Sequence, residues 1–134
     1  MTIHSADEFV SLRHSEDPAN YRRAAGEEAA VDVWRDVIDR YPEARVWVAQ
    51  NKTVPLEILA VLVSDADTEV RHMVAMKRKL TPELLDQLSM DDDESIRMRV
   101  AMHENVANGT LQRLRDDSWE CIREFVSERL GDRS

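Results

Sequence analysis

The chain has 134 residues, 43% hydrophobic and 34% charged, with 18 Lys plus Arg against 27 Asp plus Glu for a formal charge of −9. Only three glycines and one cysteine are present, which excludes a Gly-rich phosphate cradle, an intramolecular disulfide and an all-cysteine metal site. No apolar run reaches the ~20 residues of a membrane span, and the opening MTIHSADEF lacks the basic and apolar regions of a signal peptide, so a cytoplasmic protein is expected.

Taken in chain order, Ser5-Ala6-Asp7-Glu8 has capping-box spacing before Phe9, Val10 and Leu12. Residues 1–16 therefore read as an N-terminal helical cap. Asp17–Pro18 opens another helix. The stretch VDVWRDVID matches LEILAVLVS at an offset of 25, pairing Val33 with Ile58, Trp34 with Leu59 and Val37 with Leu62. Residues 17–40 are thus a degenerate repeat.

Beyond that point a 26-residue repeat takes over. Asp39, Asp65, Asp91 and Asp117 are spaced by 26, as are Arg45, Arg71, Arg97 and Arg123, and Val48, Val74, Val100 and Val126. Leu59, Leu85 and Leu111 keep the same step, and so do Leu62, Leu88 and Leu114. Ala49, Ala75 and Ala101 form a small-residue column that ends at Ser127. Each unit reads as two short helices. Asp67 and Asp93 are placed to cap the first, and Thr81 with Pro82 marks the start of the second. Val54–Pro55 and Asn108–Gly109 mark that boundary less cleanly. At ~100° per residue, Val70 and Val74 share the core face, Arg71 and Ala75 lie to one side, and His72 and Met76 lie opposite. Units 41–66, 67–92 and 93–118 follow, with a terminal helix at 119–130. One such unit cannot bury its apolar face alone, so the expected fold is all-α: a single-domain α-solenoid of stacked two-helix repeats.

VAQNKTVPLEIL at 48–59, VAMKRKLTPELLDQL at 74–88 and VAMHENVANGTLQRL at 100–114 resemble HEAT-like repeats of the bacterial leucine-rich repeat variant type. The resemblance covers about residues 30–130 and implies a stacked helical scaffold. The founding protein of that class holds an iron–sulfur cluster on N-terminal cysteines. This chain has no cysteine there, so no cofactor is expected.

The Asp and Arg columns are the first candidates. Each Arg sits in a helix's first turn, where the macrodipole disfavours a cation. The aspartate six residues earlier is the expected partner, and Asp39, Arg45, Asp65, Arg71, Asp91, Arg97, Asp117 and Arg123 then form a structural ladder. An arginine row gripping an anion is the weaker reading, because every Arg has its own Asp. The better functional candidate is the column opposite the core: Val46 and Gln50, His72 and Met76, Met98 and Met102, Glu124 and Glu128. A flanking column holds Trp47, Met73, Arg99 and Phe125. These positions vary while the core columns stay fixed, and Met and Trp serve partner surfaces well. Core packing between repeats is the competing reading.

Lys77-Arg78-Lys79 and Asp91-Asp92-Asp93-Glu94 read as solvated turns, the second lacking the spaced ligands and glycine of a calcium loop. His4, His14, His72 and His103 show no metal-ligand spacing, and His72 and His103 read as surface or interface residues. Cys121 precedes the core residue Ile122 and reads as a small buried hydrophobe. No metal site and no catalytic constellation is expected. The resulting expectation is a non-enzymatic protein-binding scaffold whose acidic surface favours a basic protein partner, in its sharpest form an immunity or inhibitor protein. The alternatives are a HEAT-like DNA-binding or DNA glycosylase-type protein, with Trp34, Trp47 and Trp119 as its aromatic residues, and a self-assembling structural protein. No oligomeric state is expected over another.

Overall fold

The computed structural model describes residues 2–131. Among them, ten α-helices, one 3₁₀ turn and two two-residue strands are present, so the chain is mostly helical. It divides into two compact units, Met1–Met73 and Val74–Ser134.

The first unit opens with β1 (Thr2–Ile3), which pairs in parallel with β2 (Glu28–Ala29). Sequence periodicity does not show this pairing, and the N-terminal cap is therefore not wholly helical. β-Branched Ile3 is wholly buried, which fixes the chain end against the unit. Helix α1 (Ala6–His14) is capped by Ser5, whose Oγ accepts from Glu8 N at 3.0 Å. The Glu8 carboxylate accepts from His4 N at 2.7 Å rather than from Ser5 N. The chain continues through α2 (Pro18–Gly26), α3 (Val31–Arg40), the 3₁₀ turn Pro42–Ala44, α4 (Arg45–Gln50), α5 (Leu56–Leu62) and most of α6 (Thr68–Ala75). Phe9 meets Trp34 edge-on at 5.1 Å in the core, with both rings wholly buried.

The second unit holds α7 (Pro82–Leu88), α8 (Glu94–Met102), α9 (Asn108–Leu114) and α10 (Glu120–Arg129). Thr81 Oγ1 caps α7 by accepting from Leu84 N at 3.2 Å, and Asp93 caps α8 through Ser95 N and Ile96 N at 2.8 and 3.2 Å. By contrast, α5 and α9 start without a side-chain cap, which matches their weaker start signals. The period survives in the element bounds. Helices α5, α7 and α9 begin at Leu56, Pro82 and Asn108 and end at Leu62, Leu88 and Leu114, both steps of 26. Every column valine is wholly buried, and the leucine and alanine columns are no more than 4% exposed. Burying one such leucine contributes about 2 kcal/mol.

The Asp–Arg columns are arranged differently from the sequence expectation. Three of the four arginines bond the backbone carbonyl of the aspartate six residues earlier, rather than its carboxylate. Arg71 Nη1 donates to Asp65 O at 2.7 Å, Arg97 Nη1 to Asp91 O at 2.8 Å and Arg123 Nη1 to Asp117 O at 2.7 Å. Meanwhile each carboxylate folds forward onto the N–H two residues on: Asp65 to Asp67, Asp91 to Asp93 and Asp117 to Trp119, at 2.9–3.0 Å. So oriented, Asp65 and Asp117 each meet the arginine 20 residues earlier. Arg45 bonds Asp65 at 3.2 Å, and Arg97 grips Asp117 through Nε and Nη2 at 2.8 and 3.2 Å. The link therefore runs from Arg to the aspartate 20 residues later. Arg45 is the exception in its carbonyl contact, donating from Nε to Ile38 O at 2.9 Å. Asp39 lies within α3 rather than in a turn and is exposed.

The side chains of Arg97 and Asp117 are 13% and 6% exposed. Burial pushes the Asp117 carboxyl up, but the Arg97 guanidinium, the Trp119 N–H and the Arg123 charge outweigh it and hold the group below its ordinary value. A carboxyl so depressed adds stability above its ordinary pKa of 3.8 and loses it as pH falls through the folded value. Replacing Asp117 by Ala leaves Arg97 half-satisfied and the Trp119 N–H without its acceptor. Urea denaturation at pH 7 is expected to show a loss of about 3 kcal/mol for D117A. The exposed Arg35–Glu57 pair, 3.7 Å apart, is expected to cost under about 1 kcal/mol in R35A. Equal losses for the two variants contradict this arrangement.

Candidate functional site

A second polar column, invisible to residue-type matching, ties the turns after the first helices. Asn51, Lys77, His103 and Arg129 are spaced by 26. Asn51 is wholly buried, and its Nδ2 donates to Ala24 O and Glu27 O at 2.8 and 3.0 Å. His103 Nε2 donates to Lys77 O at 2.7 Å, while its Nδ1 accepts from Asn105 N at 3.0 Å. Because a carbonyl only accepts, this bonding pattern places the ring hydrogen on Nε2. Arg129 Nη1 donates to Ala101 O and His103 O at 2.6 and 2.8 Å. Three different side chains thus perform one task, supplying N–H donors to carbonyls at or just beyond helix C-termini. His103 is consequently a buried structural residue, not a surface one. Lys77 is half-buried, and burial first, then the neighbouring Lys79 charge, lowers its pKa from 10.5 to about 8.

The strip residues are best taken unit by unit. In the first unit Val46, Trp47, His72 and Met73 are half-buried and Gln50 is exposed. Part of this strip is covered by α1. The Arg13 guanidinium lies 4.1 Å from the Tyr21 ring centroid and 4.9 Å from that of Trp47, and donates to Gln50 Oε1 at 3.3 Å. His14 meets Trp47 edge-on at 5.2 Å. The basic end of α1 was not legible as a strip partner, because no spacing rule links residues 13 and 47.

In the second unit Met76 and Met102 are each 49% exposed. They line one shallow groove of about 350 Å³ with Arg78, His103 and Glu104. Arg99 is exposed, Phe125 is 36% exposed and Met98 is half-buried. The groove brings together Met76 and Met102 but not Met98, Arg99 or Phe125.

Two other expectations need correction. Cys121 is exposed, because its neighbour Ile122 takes the core direction on α10 and turns it outward. Trp34 is wholly buried and presents no face to a nucleobase. In the acidic run, Asp91 and Asp93 spend carboxylate oxygens on backbone N–H groups. Among the described residues, no group of three or more His, Cys, Asp or Glu side chains is arranged to hold a metal, and no helix is long and apolar enough to cross a membrane. Comparison with protein-family models, characterised proteins and solved structures finds no match.

The Lys77 amine is expected to titrate with a midpoint near 8 when followed by the ¹³C shift of its Cε. Its folded pKa lies below the unfolded value, so the unfolded chain holds the proton more tightly between about pH 8 and 10.5. Stability from this group then rises with pH across that window and is lost as pH falls through 8. The difference in unfolding free energy between wild type and K77M isolates this contribution. A midpoint near 10.5 contradicts the buried placement.

Proposed function

We propose that this protein is a non-catalytic protein-binding scaffold: an α-solenoid of HEAT-like repeats, resembling the bacterial leucine-rich repeat variant type, whose outer strip recognises a basic protein. The observation that carries this reading is the pair Met76 and Met102. Both are half-exposed on one groove while the valine, leucine and alanine columns beside them are buried. Large flexible apolar side chains left in solvent at repeated positions suit an adaptable partner surface. The repeated bounds of α5, α7 and α9 support stacked two-helix units. A formal charge of −9 favours a basic partner by steering its approach.

An inhibitor that occludes a basic protein is the sharpest form of this reading. The DNA-directed alternative finds less support. Phosphate binding needs clustered Lys and Arg. Here Arg45 and Arg97 are paired with carboxylates, and Trp34 is in the core.

Capture experiments from native lysate at low salt test the proposal. The expected result is one basic protein retained in near-equal amount, released by salt, and not retained by a Met76→Glu/Met102→Glu double variant. Retention of the same proteins by both forms, or of none by either, contradicts it.

A further inference from the structure

The first unit shows how a guanidinium is held at one end of the flanking column. Tyr21 precedes Trp47 by 26 residues, so the flanking column runs Tyr21, Trp47, Met73, Arg99 and Phe125. The Arg13 guanidinium bridges the two rings at 4.1 and 4.9 Å and reaches the amide oxygen of Gln50, three residues beyond Trp47. The same register recurs on α10. Phe125 stands where Trp47 does, and Glu128 stands where Gln50 does. Phe125 is 36% exposed, and Glu124 and Glu128 are exposed beside it. At ~100° per residue these three positions span one helix face. The equivalent position thus offers an aromatic face with two carboxylates, in place of an aromatic face with an amide.

We infer that the Glu124–Phe125–Glu128 face of α10 is an arginine-binding subsite for the basic partner. This rests on the scaffold reading above and adds a chemistry to it. A planar guanidinium stacks on a ring while its N–H groups bond a carboxylate, and an ammonium does this less well. The subsite therefore selects Arg over Lys, beyond the general attraction of an acidic surface. Arg99, the preceding member of the column, stands where Tyr21 does in the first unit. It weakens binding of an incoming cation by repulsion.

The experiment is a ¹H–¹⁵N titration of the full chain with blocked tetra-arginine and, separately, tetra-lysine peptides of equal charge. Tetra-arginine is expected to shift amides centred on residues 124–128 and to bind about two- to five-fold tighter than tetra-lysine. Phe125→Ser is expected to remove that preference, and Arg99→Ala to tighten tetra-arginine binding. Equal affinity for the two peptides, shifts not centred on 124–128, or an R99A protein that binds no tighter overturns the subsite. The capture test with Met76→Glu/Met102→Glu is independent. Partner capture that depends on the methionines, without an arginine preference here, removes the subsite and leaves the scaffold.

Discussion

An arginine in the first turn of a helix is the constraint around which this chain is organised. The positive end of the helix dipole opposes a cation there, so the residue persists only where acceptors surround it. In the second unit the Asp91 carbonyl and the Asp117 carboxylate both meet Arg97, at 2.8 Å each. The aspartate is equally committed. Asp117 gives its carbonyl to Arg123, and its carboxylate to both the Trp119 N–H and Arg97. One short acidic turn therefore shapes the entry to a helix, anchors that helix's arginine and holds the arginine 20 residues earlier. That triple use explains why Asp and Arg recur in the same register as the core valines.

A second set of contacts relieves the opposite helix ends. Asn51, His103 and Arg129 each send N–H donors back to turn carbonyls some 24–28 residues earlier. Unpaired buried carbonyls are costly, so a donor must be present, but its chemical type is free. The register therefore tolerates Asn, His and Arg, provided that each reaches.

Much of the fold was legible because burial repeats a residue type. The valine, leucine and alanine columns mark the core, and Thr81–Pro82 marks a helix start that Thr81 Oγ1 does cap. What stayed hidden follows from long-range geometry. Residues 2–3 pair with 28–29 through backbone alone, which leaves no signature in two-residue strands. The spacing of six links each Arg to the Asp before it, whereas the Asp117 carboxylate points to the arginine 20 residues earlier in the chain; the local turn at Asp117 decides that direction. The donor column leaves no residue-type signal, because its members share a bonding role and not a residue. On the candidate surface, the exposure of Met76 and Met102 agrees with the wheel. The cover that Arg13 and His14 place on Trp47 could not be read from spacing. Unvarying positions carry the packing, while the outer positions beside them vary from unit to unit.

The most direct test of the central interaction is a double-mutant cycle on Arg97 and Asp117, using R97A, D117A and the double variant in urea denaturation. A link that holds successive repeats together predicts a coupling energy of about 2 kcal/mol or more. A coupling near zero, with the two single losses simply adding, would show that each residue acts only within its own turn.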